Sequence, residues 1–339
     1  MTCGLLMTDL EGLVLTKDEQ ELITTPETGG IILFSRNYKN AAQLKALITH
    51  IHSLRDDILI AVDQEGGSVQ RLKGEYFTTL PHMCKLGELF KQDQTTALHL
   101  AYECGWVTGF ELASFMIDIN LAPVLDINYH INRMLQTRCF SDNVDHVIQL
   151  TSAYLSGLQS TEVRSAGKHF PGHGGVQGDT HISFPHDERP LEQLQTDLQP
   201  FRAAIKNHVS AVMPSHVVYS AIDPEAAGFS THWLNTVLRE QLEFKGAVIS
   251  DCLSMTAASV GGNFAERAEK ALTAGVDLLL VCNNSKGVRE VVEWLRYQPD
   301  YPEKYRRIKK LKRPNNPLSD SESRKAKLQE ALKSLIGEC

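Results

Sequence analysis

Eight short apolar runs, separated by amphipathic segments, constrain the fold of this 339-residue sequence more than any other feature. Most of the runs are continuous hydrophobic stretches, which is typical of parallel strands that are covered on both faces. We predict strands at residues 4–10, 30–35, 58–63, 119–126, 163–169, 210–215, 246–251 and 275–282. Eight strands alternating with helices predict an α/β fold, specifically a single (β/α)8 barrel of the TIM type.

The segments between the predicted strands carry helical patterns. They include NAAQLKALITHIHSL, TSAYLSGLQS, LEQLQTDLQPFRAAIKN and FAERAEKALTAG. The last of these ends in a glycine, which is typical of a helix C-terminus. A doubly wound sheet is the alternative arrangement, but no G-x-G-x-x-G pattern follows the first predicted strand, so the barrel is favoured.

The composition bounds the size of the core and the class of partner. With 42% hydrophobic residues the chain can bury a large core, and single barrels routinely reach this length. A net charge of −7 argues against a general affinity for nucleic acid or for an anionic membrane. We therefore expect neither nucleic acid nor a membrane as a partner.

Cysteine usage and the N-terminal sequence indicate the compartment. The seven cysteines are scattered and form no C-x-x-C pair, which fits reduced thiols better than a disulfide framework or a zinc knot. The N-terminal sequence MTCGLLMTDLEGLVLTKDEQ has no basic segment followed by a long apolar run, so no secretory signal is visible. We expect a cytoplasmic protein that is a monomer.

The organisation along the chain predicts one catalytic barrel domain over residues 1–339, with about 299–339 as a C-terminal helical extension. This extension is polar and carries a basic cluster formed by Arg306, Arg307, Lys309, Lys310, Lys312 and Arg313. Such a run is usually a solvated helix face, and binding of an anionic partner is the alternative.

Polar residues gather where the predicted strands end, which is where barrel enzymes place their catalytic groups. Asp63 ends the third strand, and Arg71 follows eight residues later. Lys168 and His169 end the fifth strand, and Asp251 ends the seventh. A lone aspartate at such a position often caps the next helix, but several charges at one rim are harder to explain in that way, because unpaired charges near a core are costly.

The glycine-rich stretch GKHFPGHGGVQGDTHISFP, residues 167–185, admits three interpretations. A metal site is one, and its ligands would be His169, His173, Asp179 and His181. A polar surface turn is another, but turns are built from Gly, Pro, Asn and Asp rather than from three histidines. We favour catalysis, because Asp179 and His181 would project to the same side of an extended segment. A carboxylate beside an imidazole raises the imidazole pKa and prepares it as a general acid and base.

These motifs together resemble a known family. KHFPGHG followed by DTH, with DQEGG and QR upstream and SDCLSM downstream, resembles glycoside hydrolase family 3, and within it the NagZ-type β-N-acetylglucosaminidases. The resemblance spans nearly the whole chain, from GGIILFSRN to the helices after VDLLLVC. It implies a retaining mechanism on a single barrel domain, without a metal or other cofactor.

The resemblance also implies roles for individual residues. Asp251 would be the nucleophile that forms a glycosyl-enzyme intermediate, and His181, partnered by Asp179, would be the general acid and base. The residues that would hold the terminal sugar are Asp63, Arg71, Arg138, Lys168 and His169. Glycosidases usually pair two carboxylates, and here an imidazolium would protonate the leaving oxygen in place of the second one.

Two positions depart from the family pattern. Cys252 stands where the family commonly has a second aspartate after the nucleophile, and NRMLQT replaces the usual small and glycine-containing context before Arg138. Neither change moves Asp251 from its strand end. We expect His173 to be structural within its loop, and His216, at another strand end, has no assigned role.

The function implied by the resemblance is exo-hydrolysis of β-linked N-acetylglucosamine from peptidoglycan fragments in cell-wall recycling. The implied substrates are N-acetylglucosamine-1,6-anhydro-N-acetylmuramyl peptides. A metal-dependent barrel hydrolase that uses the histidine-rich loop is one alternative. A non-catalytic sugar-binding regulator is another, although a binder has no reason to keep Asp251, Asp179 and His181 together.

Overall fold

Twelve strands are present in the computed structural model, which describes residues 4–178, 183–314 and 322–336. The strands are β1 (Leu6–Asp9), β2 (Thr28–Leu33), β3 (Leu59–Val62), β4 (Gln64–Gly66), β5 (Val69–Gln70), β6 (Ile119–Asn120), β7 (Arg164–Phe170), β8 (His186–Asp187), β9 (Ala211–Pro214), β10 (Val218–Tyr219), β11 (Ala247–Val248) and β12 (Leu279–Val281). Each of the eight predicted strand segments contains one of these strands or overlaps it.

Helices follow most of the strands. The α-helices are α1 (Lys17–Thr24), α2 (Ala41–Leu54), α3 (Met83–Gln92), α4 (Gln94–Ala113), α5 (Val144–Gln159), α6 (Leu191–Lys206), α7 (Phe264–Ala274), α8 (Ser285–Leu295), α9 (Pro302–Lys309) and α10 (Glu322–Ile336). Short 3-10 helices lie at Ser35–Asn37, Ala227–Phe229 and Thr256–Gly261, and a π-helix lies at His232–Gln241. All four helical patterns identified in the sequence fall on α2, α5, α6 and α7.

Eight strands form one curled sheet in which every neighbouring pair is parallel, in the order β11, β9, β7, β6, β3, β2, β1, β12. The order follows the chain, with β1 between β2 and β12. An isolated parallel bridge joins Ile249, after β11, to Leu278, before β12, and Ser250 N donates to Leu278 O over 2.9 Å. The prediction of an α/β fold built on a parallel sheet is confirmed, and this bridge lies where an eight-stranded barrel would close.

The sheet is covered on both faces, as its continuous apolar runs predict. In β3, Leu59 and Ala61 belong to one hydrophobic cluster, whereas Ile60 and Val62 belong to a second cluster. Successive side chains of a strand point to opposite faces, so the two clusters lie on the two faces of β3. All six residues of β2 are buried as well.

Helix α9 and the residues just after it are attached to the rest of the protein by ion pairs. Arg307 of α9 lies 2.8 Å from the buried Asp277, and Lys312 lies 3.1 Å from the buried Asp118. These two members of the basic cluster therefore pair with interior carboxylates, which corrects the expectation of a wholly solvated face. In the part of the chain that the structure describes, no helix is long and apolar enough to cross a membrane.

Candidate active site

The described members of the predicted site share one cavity of about 670 Å³ at the carboxyl end of the sheet. They are Asp63, Arg71, Arg138, Lys168, His169 and Asp251. Carboxyl ends of parallel strands meet at one rim, which explains how residues far apart in sequence converge. Asp179 and His181, the predicted acid–base pair, lie outside the described residues.

A four-residue network of charges forms one wall of the cavity. Lys168 Nζ lies 2.7 Å from Asp63 Oδ1 and 2.7 Å from Glu65 Oε1. Arg138 holds the same Glu65 carboxylate in a two-pronged contact, with Nε and one terminal nitrogen each 2.8 Å from its oxygens. Three predicted site residues are thereby linked through Glu65, a residue that sequence reasoning did not select.

Ion pairing keeps Glu65, Lys168 and Arg138 charged, although Glu65 and Lys168 are buried and Arg138 is largely buried. Burial alone would raise the pKa of the Glu65 carboxyl, but Arg138 and Lys168 lower it well below its usual range. Burial would lower the pKa of Lys168, and the carboxylates of Asp63 and Glu65 raise it overall. The pKa of Arg138 is raised for the same reason, chiefly by Glu65. The wall therefore presents fixed charges and hydrogen-bonding groups to a ligand.

Arg71 lies near Oδ2 of Asp63, whereas Lys168 contacts Oδ1 of the same carboxylate. One of its terminal nitrogens lies 3.8 Å from Asp63 Oδ2, and its guanidinium carbon lies 5.5 Å from the centre of the Phe34 ring. Because Arg71 is only partly buried and lines the cavity, it can donate to a ligand while it remains near Asp63.

Asp126 organises the first part of the histidine-rich loop. Its Oδ2 lies 2.7 Å from His169 Nδ1, and its Oδ1 accepts from the backbone N–H of His173 over 2.7 Å. Burial alone would raise the pKa of Asp126, but His169 lowers it overall. A carboxylate at Nδ1 orients the ring of His169 toward the cavity that it lines. Asp126 ends the predicted strand 119–126, so a strand-end search could have found it.

His173 is built into the loop rather than exposed at its surface. Its ring is buried, and Asn132 Nδ2 lies 3.4 Å from its Nδ1 and also donates to the carbonyl oxygen of Gly178 over 3.2 Å. Burial and the neighbouring His169 lower the pKa of His173. His173 also lines the cavity, so its structural role stays a prediction.

Asp251 follows β11 and is partly exposed to the cavity. Its Oδ1 accepts from the backbone N–H of Cys252 over 2.8 Å. His216, buried beneath it, has a pKa lowered by burial, and the Asp251 carboxylate partly offsets this effect. The Asp251 carboxylate is therefore held just after a strand and is open to the cavity.

The metal-site interpretation finds no support among the described residues. Across residues 4–178, 183–314 and 322–336, no group of three or more His, Cys, Asp or Glu side chains is arranged to hold an ion. Two of its four predicted ligands, Asp179 and His181, lie outside that part of the chain.

The sequence matches the family model described as "Glycosyl hydrolase family 3 N terminal domain" over residues 5–311. The chain therefore belongs to glycosyl hydrolase family 3 and is a glycoside hydrolase.

Within this family its relatives include curated β-hexosaminidases. A β-hexosaminidase of Psychromonas ingrahamii is 47% identical over 294 residues, which cover 86% of this chain and 86% of the relative. The β-hexosaminidase of Glaesserella parasuis is 43% identical over 312 residues, which cover 91% of this chain and 89% of the relative. The crystal structure of NagZ from Neisseria gonorrhoeae in complex with N-trifluoroacetyl-D-glucosamine is 37% identical, with a TM-score of 0.90 and 99% of each chain covered. The fold and the family are thus of the NagZ type.

Proposed function

We propose that this glycoside hydrolase is a retaining exo-β-N-acetylglucosaminidase that removes terminal N-acetylglucosamine from peptidoglycan-derived muropeptides. The observation that carries the proposal is the convergence of Asp63, Arg71, Arg138, Lys168, His169 and Asp251 on one cavity. The similarity to curated β-hexosaminidases supports N-acetylglucosamine as the terminal sugar. The anhydromuramyl peptide aglycone and the role in cell-wall recycling rest on the sequence resemblance alone.

Asp251 is the nucleophile in this mechanism. Its carboxylate attacks the anomeric carbon of the terminal sugar, the glycosidic oxygen departs, and a glycosyl ester on Asp251 results. The backbone N–H of Cys252 donates to Asp251 Oδ1 over 2.8 Å and holds the carboxylate at the cavity.

His181 protonates the leaving oxygen and later deprotonates the water that releases the sugar, and Asp179 orients and charges its ring. Asp63, Arg71, Lys168, His169 and Arg138 hold the hydroxyl groups and the acetamido arm of the terminal sugar. The ion pairs among Asp63, Lys168 and Arg71 support this assignment, because binding groups that are already ordered lose less entropy when they bind.

We further propose that the sheet closes into a complete (β/α)8 barrel and that residues 1–339 act as one catalytic domain with a helical extension. The Ile249–Leu278 bridge supports closure, and the family match over residues 5–311 supports one domain. We also propose that the protein is a monomer and that it is cytoplasmic; scattered cysteines, which fit reduced thiols, support the compartment.

The function is tested with matched chromogenic glycosides. 4-Nitrophenyl β-N-acetylglucosaminide should be hydrolysed far faster than the matching β-glucoside, and EDTA should leave the rate unchanged. Equal rates on the two sugars would contradict the N-acetylglucosamine assignment, whereas loss of activity in EDTA that returns with a metal ion would favour the metal-dependent hydrolase. Release of N-acetylglucosamine from a purified anhydromuramyl peptide tests the aglycone.

A further inference from the structure

Two thiols lie beside Asp251 at the rim of the sugar cavity. Cys252 follows Asp251 directly, Cys282 follows β12, and both line the cavity without a disulfide between them. Cys252 is half-buried, whereas only 2% of Cys282 is exposed. A reagent dissolved in the cavity therefore meets Cys252 first.

The backbone holds the two cysteines side by side. The N–H of Cys282 donates to Cys252 Sγ over 3.3 Å. The Ser254 hydroxyl lies 3.0 Å from Cys252 Sγ and donates to the carbonyl oxygen of Cys282 over 2.5 Å. Leu253 N donates to Leu280 O over 2.8 Å, so the two segments run next to each other.

This spacing suits a covalent link between the two sulfurs. The two thiols already lie within hydrogen-bonding distance of each other. A disulfide spans a Cα separation of roughly 4.4–6.8 Å. A disulfide between Cys252 and Cys282 therefore needs little backbone movement.

The surroundings give the two sulfurs different acidities. Hydrogen bonding from the Cys282 thiol lowers the pKa of Cys252, and Ser254 adds to the effect, although burial opposes it. Burial raises the pKa of Cys282 well above its ordinary value. Because the thiolate is the reactive form, Cys252 is the attacking thiol and Cys282 the resolving one.

We propose that Cys252 and Cys282 form a thiol modification site at the rim of the sugar cavity, where a small dissolved disulfide oxidises them to one intramolecular disulfide. The Cys252 thiol releases its proton to water, and the thiolate attacks one sulfur of the reagent RSSR, which forms Cys252–S–SR and releases RS⁻. RS⁻ takes the proton of Cys282, whose thiolate attacks Cys252 Sγ and displaces the second RS⁻, which is protonated by water. Two cysteine thiols and RSSR become one protein disulfide and two RSH.

Formation of the disulfide should displace the Asp251 carboxylate, because one hydrogen bond joins that carboxylate to Cys252. The backbone N–H of Cys252 donates to Asp251 Oδ1 over 2.8 Å, so a pull on Cys252 toward Cys282 shifts the carboxylate. Misplacement by about 1 Å can cost roughly 100-fold in rate. We expect the oxidised protein to lose about tenfold or more of its glycosidase activity, and dithiothreitol to restore it.

The test treats the full chain with oxidised glutathione, blocks the remaining thiols with iodoacetamide, and identifies linked peptides by mass spectrometry while activity is followed. We expect a peptide pair joined through Cys252 and Cys282, with the activity loss in proportion to its yield. Cys84→Ser is the matched control, because Cys84 is also half-buried but does not line the cavity, and this variant should respond like the parent. In the Cys282→Ser variant the reaction should stop at the mixed disulfide between Cys252 and glutathione.

Three results would overturn the proposal. One is the absence of the Cys252–Cys282 link in folded protein, and a second is formation of the link without loss of activity. The third is a Cys252→Ser variant that loses activity in oxidised glutathione as the parent does. The link is read by mass, so its outcome is independent of which sugar the enzyme hydrolyses.

Discussion

The ammonium of Lys168 and the carboxylate of Asp63 lie 2.7 Å apart, although 105 residues separate them in the chain. The Lys168 side chain is 4% exposed and that of Asp63 is 16% exposed, so the lysine is the more deeply buried partner. Glu65 accepts from the same ammonium and joins Arg138 to the network. The contact fixes Asp63 at the cavity surface, where it can receive a sugar hydroxyl.

Asp63→Ala should lower kcat/KM for the N-acetylglucosaminide by about 10- to 100-fold, because a hydrogen bond to a charged group contributes about 1.5–3 kcal/mol. Lys168 keeps Glu65 as a partner, so the circular dichroism spectrum should be retained. Asp57→Ala is the control, since Asp57 pairs with Arg55 and does not line the cavity. Parent-like kinetics of Asp63→Ala would exclude Asp63 from sugar binding.

Glu65→Ala should lower the free energy of unfolding by about 3–5 kcal/mol, because it leaves Lys168 and Arg138 buried without their shared carboxylate. Urea unfolding measures the change. Glu293→Ala is the control: this residue pairs with Arg296 at the surface, where a salt bridge contributes about 0–1 kcal/mol. A similar small loss for both variants would show that Glu65 does not hold the network together.

The strands were predictable because parallel strands buried on both faces leave continuous apolar runs. The predicted strand 119–126 shows the limit: regular pairing covers only Ile119–Asn120, with a single further bridge at Val124. Pro123 interrupts the ladder because it has no N–H to donate. Helix α4 was not identified, and its middle and C-terminal parts are buried almost all round, which leaves no amphipathic stripe in the sequence.

The charged residues at the strand ends were also predictable, because position in a barrel indicates the active-site rim. The place of Glu65 in the charge network could not be predicted, because it depends on burial and on pairing with Arg138, 73 residues away. The Cys252–Cys282 contact depends in the same way on the neighbouring ends of β11 and β12, which no local pattern reveals.

The His52 imidazole should make stability depend on pH. Burial lowers its pKa from 6.5 to about 4, and Lys312 adds to the effect. Between those two values the unfolded chain binds more protons than the folded one. The contribution of His52 is therefore fully present above pH 6.5 and is lost as the pH falls toward 4. His52→Gln should reduce the loss of unfolding free energy between pH 7 and 4.5 by about 1–2 kcal/mol, less than the full pKa shift implies because solvent screens this partly exposed ring.

Urea titrations at the two pH values check this expectation. His50→Gln is the matched control, because His50 lies on the same helix but is exposed, and it should keep the slope of the parent. An unchanged slope in His52→Gln would contradict the expectation.

His181→Ala should slow a natural disaccharide far more than a 2,4-dinitrophenyl glycoside, whose leaving group departs without a proton. Asp179→Ala should show the same order more weakly, because Asp179 acts through the imidazole. Steady-state kinetics on both substrates make the comparison, and azide should restore part of the turnover by replacing activated water. Equal losses on both substrates would mean that His181 is not the acid.

The central claim is that Asp251 attacks the sugar, and trapping of the intermediate tests it most directly. The enzyme is incubated with an activated 5-fluoro analogue of N-acetylglucosaminide, digested with protease and analysed by tandem mass spectrometry. We predict one added glycosyl group per chain, attached to Asp251, and none in Asp251→Ala, which should fold normally and lack turnover. A label on another residue, or substantial turnover by Asp251→Ala, would contradict the account.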